Sequence, residues 1–214
     1  MGDVTQLSDL DLAALVSSKV CHDAIGPMTA IGFGLDVLDE EEDEEQRKNA
    51  LSMISNGVQT ITAKLQFSRL AFGAAGSSGF EIDLQDAQTA ARNYVESDNK
   101  HKVEWNCTIA TLPKNHVKLL LNLVAISMGT IPRGGVINVN IGGDKDRPVI
   151  MIKTSGAKAR VPAGIVDLVN CSPAEDVDAR SIQPYFTGRV AIEIGASIAI
   201  DMDGEDVKLA VSFA

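Results

Sequence analysis

Between residues 24 and 38 the apolar positions Ala24, Met28, Ile31, Leu35 and Leu38 recur at intervals of four, three, four and three. That is the spacing of a helix packed along one seam. Ser8, with Asp9 and Asp11 after it, supplies a helix start, and Leu12, Leu15, Val16 and Val20 lead into the seam. The pattern therefore predicts one helix over residues 8–38. Leu51, Ile54, Val58, Ile61, Leu65, Ser68 and Phe72 repeat the rhythm and predict a second. The acidic residues 39–45 between them form a turn and the first turn of the second helix, where carboxylates meet the positive helix end. Two such helices make an antiparallel hairpin that cannot cover both seams alone, so the chain is expected to homodimerise into a four-helix bundle.

Seven small residues, 73–79, three of them glycine, read as a linker. They divide the chain into a helical hairpin, 1–73, and a second domain, 80–214. Beyond them the period changes. A helix is predicted over 83–96, then a half-buried strand in which Val103, Trp105, Cys107 and Ile109 alternate with polar residues. Pro113 opens a helix through residues 119–124. Gly134-Gly135 turns into a strand carrying Ile137, Val139 and Ile141, followed by a buried strand at 149–152. Helices at 163–169 and 189–196 precede a closing hairpin with Asp203-Gly204 at its turn. The whole is an α+β chain: a helical hairpin, then an α/β sandwich with a mostly antiparallel sheet.

Charge narrows the partners. The net charge is −10 and the pI about 4.7, which argues against nucleic acid and anionic membrane. Removing the seven acids of 39–45 leaves about −3, so the remaining surface is unremarkable. Cys21, Cys107 and Cys171 show neither metal spacing nor a disulfide framework, which suits a reducing cytosol. The first residues lack the basic and apolar regions of a signal peptide, and no apolar run spans a bilayer.

The chemistry gathers at Cys21-His22-Asp23-Ala24-Ile25-Gly26-Pro27-Met28. His22 lies two residues before Ala24, roughly 200° from the seam at about 100° per residue, and so faces outward. Asp23 could take a hydrogen bond from one ring nitrogen and leave the other free as a nucleophile. Pro27 removes the amide that would bond the Asp23 carbonyl and should bend the helix. Gly26 leaves bare backbone beside the histidine. The same Gly-Pro dipeptide can also end a helix. A zinc site through Cys21 and His22 fails because adjacent helical residues diverge and no further ligands cluster nearby.

The order of parts resembles the histidine-kinase core: a dimerising hairpin bearing a phosphorylatable histidine, then an ATP-binding α/β sandwich. Residues 22–28 look like the kinase H-box, and 120–126 with 132–135 look like the N-box helix and its exit. Three departures stand out. Ala125 occupies the place of the magnesium-ligating asparagine. Thr154-Ser155-Gly156-Ala157-Lys158 replaces the adenine-binding Asp-x-Gly-x-Gly turn, and Thr187-Gly188-Arg189 keeps one glycine of the last motif. A kinase scaffold that keeps the histidine and loses the nucleotide site is similar to the ChpT family of histidine phosphotransferases.

That resemblance implies a fold with a DHp-like dimeric bundle and a degenerate Bergerat-type sandwich. It implies a phosphorelay carrier in which His22 takes a phosphoryl group from the receiver domain of a CckA-like hybrid kinase and passes it to CtrA-like and CpdR-like response regulators. No cofactor is expected in this chain, magnesium being supplied by the receiver. Asp23 would orient the imidazole, and Lys19, Gly26 and Thr29 would line the docking face. Gly26 replaces the Thr or Asn of phosphatase-competent kinases, so intrinsic phosphatase activity is expected to be weak. His101 and His116 are expected on the surface. The rival readings are a divergent ATP-dependent histidine kinase and a non-catalytic dimeric docking scaffold.

Overall fold

The computed structural model describes residues 7–40, 42–73, 81–172 and 177–213. Helices α1 (Asp9–Glu40) and α2 (Glu44–Ala71) form the hairpin. Ser8 caps the first: its hydroxyl accepts the Asp11 amide at 3.1 Å and donates to the Asp11 carboxylate at 2.6 Å. Asp43 caps the second by accepting the Gln46 amide at 2.9 Å. Helix α1 runs through Pro27 as one element. Of the expected linker, only Gly73 lies within the described residues.

The two helices meet where side chains are smallest. A Cβ added to Gly57 would lie 2.6 Å from Ile31 Cγ1 and 3.1 Å from the Pro27 carbonyl oxygen, and one on Gly34 would lie 2.7 Å from Ile54 Cγ1. The predicted seams therefore divide. Ile31 and Ile54 pack inside the hairpin against these glycines, whereas Met28, Leu35, Leu51, Val58 and Leu65, placed in the same seams by spacing, are exposed. Glycine does not register as apolar in a three-four count, yet it sets the line of closest approach.

The second half adds β1 (Glu81–Asp83), α3 (Leu84–Glu96), β2 (His101–Cys107), β3 (Thr111–Pro113), α4 (Lys114–Thr130), β4 (Gly135–Gly143), β5 (Pro148–Ser155), α5 (Ile165–Val169), α6 (Ile182–Glu193), β6 (Ala196–Asp203) and β7 (Asp206–Phe213). Five strands form a sheet in the order β2-β4-β5-β7-β6, with only the β2–β4 pair parallel. β1 and β3 pair separately. Inward residues such as Ile137, Val139, Ile152 and Leu209 are buried in one core with α3, α4 and α6. Helix α4 is apolar on nearly every side and buried, as a central layer requires. The last helix is displaced from the expected 189–196. It begins at Ile182 because its buried face includes Gln183, Thr187 and Gly188, which break the apolar count, and it stops before Gly195 at φ 67°.

The sandwich grips the hairpin at the end where α1 starts and α2 finishes. Leu7, Leu12, Leu15 and Val16 pack against Cys171, Ile182 and Tyr185, and Arg189 pairs with Asp9 at 3.1 Å. Phe67 stacks on Tyr94 with centroids 4.0 Å apart, while Leu70 and Ala71 enter the sandwich core.

His101 and His116 correct the surface expectation, both being buried. His101 is enclosed between the Asp98 carboxylate, 2.6 Å from Nδ1, and the Ile131 carbonyl, 3.0 Å from Nε2. His116 stacks on Phe213 with Nε2 3.3 Å from the Asp146 carbonyl. Each ring has a carbonyl partner 30 residues away in sequence, which no local pattern reveals.

Candidate functional site

His22 stands on the open side of α1 with 69% of its side chain accessible. Three faces of this helix follow from its wheel at about 100° per residue. His22, Gly26, Thr29 and Phe33 share one. Pro27, Ile31 and Gly34 share a second, turned toward α2. Met28 and Leu35 occupy a third, which is exposed. The histidine is thus presented away from both apolar faces.

Asp23 is not a hydrogen-bond partner of the imidazole. Its Oδ1 lies 3.8 Å from His22 Nδ1, too far for a hydrogen bond, and its Oδ2 accepts from Lys19 Nζ at 2.8 Å. Adjacent helical side chains diverge by about 100°, and the carboxylate is turned toward Lys19. Its charge also reaches Tyr94 of the sandwich, whose phenol is pushed well above its ordinary range by burial and by the Asp23 and Asp98 charges. Lys19 is drawn in with it: its side chain is 14% exposed, so it flanks the histidine strip rather than standing open on it. Nδ1 lies on the Asp23 side, which leaves Nε2 as the nitrogen offered outward.

The rest of the strip is bare. A Cβ on Gly26 would touch nothing within 4 Å, and Thr29 is exposed with its hydroxyl bonded to the Ile25 carbonyl at 3.0 Å. Beside it a groove of about 520 Å³ runs between the helices, lined by Gly26, Pro27 and Ala30 of α1 and by Met53, Asn56 and Thr60 of α2. Phe33 extends the strip three turns beyond the histidine and is 58% exposed. Sequence reasoning passed over it, although its position eleven residues after His22 places it on the same face. Among the described residues, no three His, Cys, Asp or Glu side chains converge on one point that could hold a metal.

The positions where a kinase would handle nucleotide have packing roles. Ala125 is half-buried against the sandwich core. Asn122, one turn earlier, is fully buried. It donates to the Ala71 carbonyl at 2.9 Å and the Lys118 carbonyl at 2.8 Å, and accepts from Gln183 Nε2 at 3.1 Å. It ties α2, α4 and α6 together. The Thr154 hydroxyl is closed on the Thr130 hydroxyl at 2.8 Å and the Val207 carbonyl at 3.3 Å. Gly188 sits so close to α5 that an added Cβ would lie 2.3 Å from the Val169 carbonyl oxygen. Its lack of a side chain serves helix packing.

Comparison with known proteins agrees with this architecture. Residues 84–206 match the model of the histidine phosphotransferase C-terminal domain. Protein phosphotransferase ChpT of Brucella abortus (strain 2308) is 43% identical over 202 residues, covering 94% of this chain and 95% of that protein. The solved structure of a bacterial phosphotransferase superimposes with a TM-score of 0.89 at 39% identity, covering 97% of this chain and 98% of the other. A domain model that matches more than half of the sequence, and a relative aligned along nearly its whole length, show that the chain belongs to the ChpT family of histidine phosphotransferases.

Proposed function

We propose that the chain is a phosphoryl carrier of a bacterial phosphorelay. His22 receives the group from the phosphorylated aspartate of a hybrid kinase's receiver domain, one resembling CckA, and passes it to response-regulator receivers resembling those of CtrA and CpdR. ATP takes no part. The observation that carries this reading is the exposed His22 imidazole on a bare strip of α1, beside a groove between the two helices.

The step needs little from this chain. The lone pair of neutral Nε2 attacks the phosphorus of the acyl phosphate, the N–P bond forms, and the P–O bond to the aspartate breaks with its electron pair leaving on the carboxylate. The ring keeps its Nδ1 proton and becomes a cation, with the Asp23 carboxylate 3.8 Å away to favour that charge. The reverse sequence on a second receiver discharges it. Transfer of this kind is positioning plus charge neutralisation, and the receiver's acidic pocket supplies the magnesium.

The exposed Met28, Leu35, Leu51, Val58 and Leu65 support a homodimer. Leu51, Val58 and Leu65 fall at intervals of seven, a stripe that a second hairpin would cover. The packing roles of Asn122, Thr154 and Gly188 support a sandwich that holds the hairpin rather than feeding it ATP.

The test is to offer the purified chain radiolabelled ATP alone and then a phosphorylated receiver domain, with His22→Ala in parallel. Acid-labile label on the wild type only in the presence of the receiver is expected. Label from ATP alone would restore the kinase reading, and no label in either case would favour a docking scaffold.

A further inference from the structure

Pro27 leaves a gap in the helix that bears His22. A helical amide bonds the carbonyl four residues back, and proline has no amide, so the Asp23 carbonyl loses its partner one turn beyond the histidine. The structure fills that gap from the other helix: Lys64 Nζ donates to the Asp23 carbonyl oxygen at 3.1 Å. We infer that Lys64 is a positioning residue of the phosphotransfer site, supplying from α2 the hydrogen bond that Pro27 deletes and so fixing the turn that carries His22.

Three further observations make this bond part of a built site. Pro27 is buried, its carbonyl 3.1 Å from where a Gly57 Cβ would stand, so the helices are already locked together one turn away. The Asp23 side chain is held separately by Lys19 at 2.8 Å. Each acceptor of the residue next to the histidine, carbonyl and carboxylate, thus has its own ammonium partner. Tyr94 of the sandwich feels the Asp23 charge across the junction and stacks on Phe67, three residues along α2 from Lys64. The sandwich therefore braces α2 within one turn of Lys64. An ammonium on an otherwise unpaired carbonyl makes a charge-assisted bond, which resists the opening that a proline invites at this turn.

The inference rests on the carrier reading of His22 and gives that site a part on the second helix. Loss of the bond should let the histidine turn loosen without unfolding the hairpin. Since small misplacements of a reacting group cost up to about a hundredfold in rate, Lys64→Met, which keeps the aliphatic stem, should slow label transfer from a phosphorylated receiver about tenfold at saturating receiver. The receiver concentration at half-maximal rate should stay unchanged. Lys64→Arg, which can still donate to the carbonyl, should recover most of the rate.

Two readouts on the full-length chain decide it. The first is that transfer rate, with His22→Ala as control. The second is amide hydrogen exchange across residues 24–31, which should speed up in Lys64→Met and return toward wild type in Lys64→Arg. Equal transfer rates in wild type and Lys64→Met would overturn the inference, as would unchanged exchange over that turn. A slowed rate that Arg does not rescue would also overturn it. If the wild type takes no label, the carrier reading falls, and the inferred role falls with it even where exchange confirms the bond.

Discussion

Asn122→Ala removes a fully buried amide that joins three helices. The wild-type side chain makes three hydrogen bonds: to the last carbonyls of α2 through Ala71, to Lys118 within α4, and from Gln183 on α6. A buried hydrogen bond contributes about 1 kcal/mol net, and orphaning a buried partner costs about 1–3 kcal/mol. The Ala71 carbonyl and the Gln183 amide would both be orphaned, so a loss of about 3 kcal/mol is expected, a conservative sum of the three bonds. For a chain of this size each kcal/mol lowers the melting temperature by about 2–4 °C, giving a fall of roughly 6–12 °C. Thermal and urea unfolding followed by circular dichroism measure it, and below the transition the variant should still accept label from a phosphorylated receiver. A melting temperature within about 1 °C of wild type would refute the structural role given to this residue. So would loss of magnesium-dependent nucleotide binding that the wild type possesses.

Gly26→Ala should stabilise the chain by about 1 kcal/mol, because it improves helix propensity at an exposed position where the added methyl meets nothing, and receiver-dependent transfer should slow if a partner closes on that backbone. Gly57→Ala should do the opposite: the methyl would fall 2.6 Å from Ile31 Cγ1, forcing the hairpin apart at a cost of about 1–3 kcal/mol seen in urea unfolding. Val58→Glu places a charge in the exposed stripe of α2 and should convert a dimer to a monomer by sedimentation while leaving helix content unchanged. His116 sets a pH dependence. Burial lowers its pKa from the ordinary 6.5, with the Asp146 carbonyl and charge opposing weakly. The unfolded chain then binds the proton more readily, so stability should fall as pH drops below 6.5 toward the depressed folded value. His116→Leu should flatten that stretch of the stability curve.

What could be read in advance follows from the range of the interactions involved. The hairpin and the strands announce themselves through periods of 3.6 and 2, and Ser8, Asp43 and Asp83 mark helix starts through bonds to amides two or three residues away. The outward placement of His22 needs nothing more than its angle from Ala24. Contacts across the chain are another matter. Spacing identifies Met28, Ile31 and Leu35 as one stripe, but the glycines Gly34 and Gly57 decide that Ile31 is covered within the hairpin while the other two stay open. Asn122 carries no local sign that it is buried, and its role appears only through Ala71 and Gln183, 51 and 61 residues away. The adjacency of His22 and Asp23 suggests a pair, yet Lys19 and Lys64 claim the aspartate's two acceptors. Lys64 leaves no mark in the sequence except indirectly, through Pro27, which announces a carbonyl in need of a donor.

Locating the phosphoryl group tests the role of His22 at its source. After incubation with a phosphorylated receiver, the chain would be digested at alkaline pH, where phosphohistidine survives, and its phosphopeptides mapped by mass spectrometry alongside phosphorus NMR of the intact protein. One phosphoryl group per chain is expected, on Nε2 of His22, absent from His22→Ala. Phosphate on His101, His116 or a carboxylate, or label retained by His22→Ala, would contradict it.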